Sequence, residues 1–403
     1  MHGFNQRQTL ILMLLAVLFG GSSLPGLASA DASLDPSILR LRYVLVGTSL
    51  LLLLLMSRFD IWRFHSKAVP LLLVWTLFSF VSVISGLANN DSTSVRDGFW
   101  LMLGIPMIFL NALPKLMKEN ANILIAVALF LGNVPYIVVS LWLHPLTTSL
   151  YRGVFANSNQ LGATAAAMAA GLFIVLIAAL SAKKSVSYVS LIILLLLGTF
   201  TMILVANSRT SLLAFFAMFS IFVWKSVPNP KGLFKITVIT TAISSAILLL
   251  AGEQTHLLWK NIELSFIAKI KGKETLSGRE EIWKKTLDDM NLLGHGSDYF
   301  ESKFGIGGHN TIIDALGRNG IIAAYLLLCL GIASLLYAYL YFKTYAKEDH
   351  YAIAPLIITV CFWILAMGES MFGSLGSAMT LAYMLSMGVV MTKSNTERSQ
   401  RHR

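Results

Sequence analysis

A chain of 403 residues that is 56% hydrophobic and only 13% charged, with a mean hydropathy of +0.71, is not an ordinary soluble domain. Its net charge of +11 would suit a nucleic-acid binder in water, but in so apolar a chain it reads as charge that sets membrane orientation and meets anionic lipid, which excludes nucleic acid as a partner. The two cysteines, Cys329 and Cys361, both lie in apolar runs, which excludes a disulfide framework and a thiolate metal cluster.

A helix that crosses the hydrocarbon core needs about 20 apolar residues. On that basis the sequence predicts an all-α polytopic membrane protein with twelve spans, at 8–29, 38–56, 68–88, 98–114, 121–143, 160–181, 186–206, 210–226, 233–251, 320–342, 351–368 and 371–391. The first also has the form of a cleaved signal peptide, with Arg7, a short apolar run from Leu10 to Phe19 and "ASA" at 28–30. The expected organisation is nine spans over 1–251, a helical loop domain over 252–319, three spans over 320–392 and a tail over 393–403.

Basic residues test the orientation. With the N-terminus in the cytoplasm, the inner segments carry seventeen Lys and Arg, whereas the short outer segments carry five: Arg40, Arg42, Arg96, Arg152 and Arg209. The positive-inside rule, which counts short loops, favours that arrangement. The long outer loop holds the remaining nine of the 31 basic residues.

Within that loop, "SGREEIWKKTLDDMNLLG" opens with Ser277 and Glu280 in capping-box spacing. Ile282, Leu287 and Met290 follow at roughly helical intervals, which predicts an amphipathic helix against the bundle, ending at Gly294. A second short helix is expected to start near His309 and to lead through Gly317 and Gly320 into the tenth span.

The outer face collects polar residues that a plain bundle does not need. Arg152 and "FANSNQLG" precede the sixth span, and "ANSRTSLL" is a turn so short that Arg209 must sit at the bilayer boundary. An arginine near hydrocarbon is costly and usually faces a cavity or a partner, and its planar fork suits phosphate oxygens. Arg209 is therefore read as functional rather than as a snorkelling interfacial residue. Arg279 alone reads as part of a solvated helix face.

An imidazole exchanges a proton near neutral pH, which makes His309 a candidate general base and leaves helix capping as the alternative. His295 competes by the same chemistry. The place of His309 at a glycine-flanked helix start beside the membrane favours it. Glu369, in "MGESMFGSLG", is expected at the outer end of the eleventh span, either orienting an arginine or capping a helix. Asn157, Asn159 and Asn310 are candidate supporting residues. The loop carboxylates show no metal-ligand spacing, and no Walker, dinucleotide or zinc motif appears, so no cofactor or metal is expected and the driving force must arrive with the substrate.

At these residues the chain resembles the O-antigen ligase and polymerase superfamily of bacterial envelope enzymes, and most closely the ligases. The resemblance rests on "RGVFANSNQLG", "NSRTSLL", "SGREEIW" and "HNTIIDALGRNGIIAAYLLL", in that order between about 150 and 330. "FANSN" departs from the proline that many members carry between the asparagines, and the first 150 residues carry no matching motif. The resemblance implies that Arg209 and Arg279 bind the diphosphate of an undecaprenyl-linked glycan donor. It also implies that His309 activates an acceptor hydroxyl such as that of lipid A-core, with Arg152 as a weaker diphosphate contact and no metal or nucleotide. Such an enzyme would face the periplasm from the bacterial inner membrane. A polymerase of the same superfamily is the nearest alternative. A transporter is the rival class, but it would favour ionisable residues near the bilayer midplane rather than at one face.

Overall fold

A computed structural model describes residues 4–24, 36–58, 69–144, 146, 151–226, 260, 279–372 and 376–393. The expected ninth span (233–251), Ser277 of the capping box and the C-terminal tail beyond Lys393 lie outside the described residues.

All regular elements among the described residues are helices. In chain order they are α1 (Gln6–Ser23), α2 (Pro36–Met56), α3 (Val69–Ala88), α4 (Ser92–Phe99), α5 (Ala121–Leu143), α6 (Ser158–Ser181), α7 (Val186–Ala206) and α8 (Arg209–Ser226). After the gap come α9 (Arg279–Asp288), α10 (Tyr299–Phe304), α11 (Thr311–Asn319), α12 (Ile321–Tyr345), α13 (Ala354–Ala366) and α14 (Ala378–Lys393). Between α4 and α5 the chain continues through π-helical turns at Trp100–Gly104 and Ile108–Ala112 and a 3₁₀ turn at Lys118–Asn120. Lys118, at φ 53°, divides the two spans expected there.

By length and hydropathy, five helical runs could cross a bilayer: Val69–Ala88, Ser92–Leu143, Ser158–Ser181, Val186–Ala206 and Ile321–Tyr345. Large apolar side chains such as Tyr43, Trp142, Leu213 and Ile332 are exposed on the surface of the bundle. Water tolerates contiguous patches of that kind poorly, and lipid does not penalise them. The chain is accordingly a membrane protein.

Helix α6 is the centre. Its sequence is rich in alanine and apolar on every side, the pattern of a buried helix, and nearly every residue from Leu161 to Ala179 is buried. Small side chains let α5, α7, α8 and α13 pack against it. The same device joins α1 to α5, where Gly20 lies on the backbone of Gly132 so closely that no side chain fits between them.

Two expected spans are shorter than the sequence suggested. The run 351–368 yields only Ala354–Ala366, and 371–391 yields Ala378–Lys393. Pro355 sets the start of the first, and the helix stops where backbone carbonyls from Met367 onward are taken by side chains of the loop domain.

The described part of the loop domain, 279–319, has its own small core of Ile282, Tyr299 and Phe300. The face of α9 that is buried is Ile282 with Thr286, one helical turn apart, whereas Leu287 and Met290 are exposed. The expected stripe was misplaced because Leu287 stands five residues from Ile282, on another face, and because α9 ends at Asp288, before Met290 can join any helical face. The domain is tied to the outer ends of α3 and α4 by polar contacts. Asn89 Nδ2 donates to Gly294 O at 3.2 Å, and Asp91 accepts from Ser297 N at 2.6 Å while capping α4 through Thr93 N at 3.0 Å. Burial pushes the Asp91 carboxyl upward, but the hydrogen bonds from Ser94 and Ser297 outweigh it and hold the group well below the usual carboxylate range.

Candidate active site at the mouth of the bundle

The site is built around the chain that leaves α13. A helix ends with carbonyls that have no intrahelical partner, and non-helical backbone near a membrane must find partners within the protein. Here three consecutive carbonyls find them in one place. Met367 O accepts from Asn310 Nδ2 at 3.1 Å, Gly368 O from Arg279 Nη1 at 2.7 Å, and Glu369 O from Thr311 Oγ1 at 3.0 Å. Thr311 Oγ1 in turn accepts from Met371 N at 3.0 Å. A guanidinium at the C-terminal end of α13 also complements the helix dipole.

The side chain of Glu369 is the hub. Its Oε1 accepts from Asn159 Nδ2 at 3.1 Å and lies 3.4 Å from Arg279 Nη2, and its Oε2 lies 3.2 Å from His309 Nδ1. A carboxylate facing Nδ1 selects the tautomer with the proton there, which leaves Nε2 as the basic nitrogen. Arg279, His309 and Glu369 are all partly buried, with 19%, 33% and 29% of their side chains exposed, so the group is accessible without being fully solvated.

Several elements fix the imidazole. Asn310 caps α11 by accepting from Ile312 N at 2.9 Å and Ile313 N at 3.2 Å, as a short polar side chain before an apolar run does. Trp283 Nε1 donates to Gly308 O at 2.9 Å, which ties α9 to the turn that carries His309. His309 itself sits at φ 50°, a left-handed conformation that costs a non-glycine residue about 1–2 kcal/mol. In the run Gly305, Gly307, Gly308, a histidine is held in a conformation that suits glycine, and its ring meets Glu369. Such a conformation persists where the surroundings over-determine it, here through the Trp283–Gly308 tie and the Asn310 cap.

Asp314 stiffens the same corner from below. Burial raises its carboxyl above the ordinary value, opposed by Arg318 and by hydrogen bonds from Ser370 and Gly308, the neighbours of Glu369 and His309. Its Oδ1 approaches Arg318 Nε at 3.3 Å as an ion pair, without the alignment of a hydrogen bond.

Beside Glu369 lies a cavity of about 200 Å³, walled by Asn133, Phe155, Asn159, Gln160 and Thr164 among others. The Gln160 Oε1 atom is buried there with no hydrogen-bond partner among the described residues. The amides and hydroxyls in that wall can bond a hydroxyl-bearing ligand, while Phe155, Met371 and Met379 give the cavity an apolar side.

The structure thus brings together Arg279, His309, Asn310, Asn159 and Glu369. Arg209, the first residue of α8, is exposed beside them: the next residue, Thr210, packs tightly on Gly368, and Ser208 on Gly162. Asn157 is a cap, accepting from Gln160 N at 2.9 Å at the start of α6. Arg152 is exposed in the turn before α6, and its side chain makes none of the contacts of the Glu369 group. His295 stacks on Tyr299 at 4.7 Å, with Nε2 2.9 Å from Asp289 O, and does not join the group. Thr311 and Asp314 belong to the site and were not singled out from sequence, where they read as ordinary first-turn residues of a helix. Among the described residues no three His, Cys, Asp or Glu side chains are arranged to hold a metal ion.

Comparison of the whole chain with protein-family models and with curated proteins finds no match in either.

Proposed function

We propose that the protein transfers a glycan from an undecaprenyl-diphosphate carrier to a sugar hydroxyl of an acceptor, as an O-antigen ligase does with lipid A-core. The reading includes the twelve-span topology and a site that faces the periplasm from the bacterial inner membrane. The observation that carries it is Glu369 bridging Arg279 and His309, an anion-binding fork and a proton acceptor held by one carboxylate at the mouth of a membrane bundle.

In this mechanism the acceptor oxygen attacks the anomeric carbon while the bond from that carbon to the diphosphate oxygen breaks, and the electron pair leaves with the diphosphate. The acceptor proton passes to His309 Nε2. Glu369, on Nδ1, stabilises the imidazolium that forms, and general-base help of this type contributes about 10² to 10⁴ in rate. Arg279 uses two of its five N–H groups on Gly368 and Glu369 and can turn others to the diphosphate together with Arg209. Fixed donors at a leaving group act most strongly where water is scarce. A diphosphate leaves readily, so no strong general acid is needed. One direct displacement inverts the anomeric centre.

The test is transfer by the purified chain in liposomes, from a defined polyprenyl-diphosphate glycan to a panel of acceptor saccharides, with product identified by mass. Transfer that survives in wild type and drops in Arg209→Lys supports a forked diphosphate contact. No product with any acceptor, together with uptake of substrate into the vesicles, contradicts the reading and favours a transporter.

A further inference from the structure

A second and larger cleft opens beside the segment that carries Glu369. Its volume is about 720 Å³, within the roughly 300–1,000 Å³ range of small-molecule sites. Arg42 from α2, Arg96 from α4 and Arg318 from α11 meet in its walls, with the rings of Tyr43, Trp100 and Phe372. Thr311 and Ser370 also line it, two residues from His309 and one from Glu369, and Ser370 lines both cavities. Ser370 is thus shared by the two spaces, next in sequence to the carboxylate, and Thr311 carries the wall of the larger one to within two residues of the imidazole.

Arg42 and Arg96 are two of the five basic residues that stand on the charge-poor side of the membrane. Orientation does not require them there, and an arginine near hydrocarbon faces a cavity or a partner. Two carboxylates share the cleft. Asp97 pairs with Arg96 at 3.0 Å, but both side chains are mostly exposed, and an exposed pair of sequence neighbours exchanges easily for a better anion. Asp314 is engaged by Arg318, whose Nη2 also donates to Glu301 Oε1 at 3.1 Å, so Arg318 builds the wall. The Arg42 guanidinium lies 5.8 Å from the centre of the Tyr43 ring. Arg42 and Arg96 are the two forks able to turn toward a ligand, and the aromatic rings offer flat apolar surface to sugar C–H faces.

We infer that this cleft binds the acceptor, and that the acceptor is an anionic saccharide headgroup whose phosphate or carboxylate oxygens are taken by Arg42 and Arg96. The inference rests on the transferase reading for the word acceptor, while binding itself does not depend on it. Donor and acceptor then approach the His309–Glu369 pair from the two spaces that share Ser370, and Thr311 and Ser370 form the ledge across which the attacking hydroxyl reaches Nε2.

Binding is tested on the full chain in phosphatidylcholine nanodiscs by saturation-transfer NMR with glucosamine 1-phosphate, glucosamine and inorganic phosphate as probes. Wild type should bind the sugar phosphate at least tenfold more tightly than either of the others, and Arg42→Gln/Arg96→Gln should lose that preference. Arg96→Gln alone, at an exposed position, should weaken it severalfold even if the double variant does not fold. Unchanged binding in the Gln variants overturns the site. Equal affinity for phosphate alone overturns saccharide recognition, and displacement of the sugar phosphate by phosphatidylglycerol in the disc shows an ordinary lipid site and overturns it too. In the transfer assay, Arg96→Gln should raise KM for a phosphorylated acceptor at least tenfold and leave KM for the donor unmoved. The reverse pattern makes the cleft a donor site and sinks the inference while transferase activity stands. Sugar-phosphate binding without transfer by wild type would sink the transferase reading and leave the binding site standing.

Discussion

Helix α6 and the five residues from Met367 to Met371 meet at Asn159 and Glu369, yet they are held by opposite means. Helix α6 has alanine and glycine where neighbours approach, and its contacts are those of volume and close backbone packing. In the 367–371 segment the first three N–H groups still bond back to α13, but the carbonyls of 367–369 and the Glu369 carboxylate are tied to side chains from elsewhere: Arg279, Asn310, Thr311, Asn159 and His309. Packing of the first kind tolerates change until something no longer fits. A hydrogen-bonded hub of the second kind tolerates little, because removing one partner leaves another polar group unpaired. Stability should therefore concentrate in the bundle and function at its mouth, and substitutions can separate the two.

The largest effect is expected at His309. His309→Ala should lower transfer about 10² to 10⁴-fold, the range of general-base help, while the protein stays folded and inserted, because Glu369 keeps Arg279 and Asn159 as partners. Retained turnover would remove the imidazole from the mechanism. Glu369→Gln comes next: it keeps the shape and the bond from Asn159 but removes the charge that faces Arg279 and His309. A loss on the order of 10²-fold in kcat is expected from misplacing the base, with the protein still folded.

The opposite signature is expected inside the bundle. Gly132→Val forces a side chain between α1 and α5, and overpacking of this kind costs about 1–3 kcal/mol, read as a lower melting temperature, with transfer per folded molecule retained. If activity falls further than stability, the division between the two regions is wrong.

The sequence displayed α6 almost completely, since composition and apolar continuity mark a buried helix without any knowledge of its neighbours. It also displayed His309 and Asn310, because a glycine run, a cap residue and an apolar helix lie together in one stretch. Arg279 read as a solvated helix residue, because its partners lie near 368, ninety positions away. For Glu369 the choice between orienting an arginine and capping a helix stayed open, and the structure shows it facing Arg279, His309 and Asn159 at once. The end of α13 was placed two residues late and the start of α14 seven residues early, because an apolar count does not register that carbonyls at 367–369 are claimed by another domain and that the chain between the two helices is not helical. Met290 was assigned to the buried face of α9 because periodicity was read past the helix end, and Leu287 because a five-residue step from Ile282 was accepted as helical although it turns to another face. Periodic apolar patterns are local, whereas a polar hub is a meeting of distant residues.

The smallest effect should come from the strap that docks the loop domain. Asp91 is held below its ordinary value of 3.8, so its contribution is present at neutral pH and is lost only as pH falls below that value toward the depressed one. Hydrogen exchange at 293–297, corrected for intrinsic rates, should quicken in Asp91→Asn at neutral pH. Wild type should approach the variant only in strong acid. Equal protection at pH 7 would show that other contacts carry the docking.

Whether Glu369 and His309 act as one unit is decided by a double-mutant cycle on kcat in the lipid-diphosphate transfer assay. Glu369→Gln should slow His309→Ala far less than it slows wild type, because the carboxylate then has no imidazole left to orient and only its contact with Arg279 remains. Losses that multiply, as for two residues working independently, would contradict that coupling.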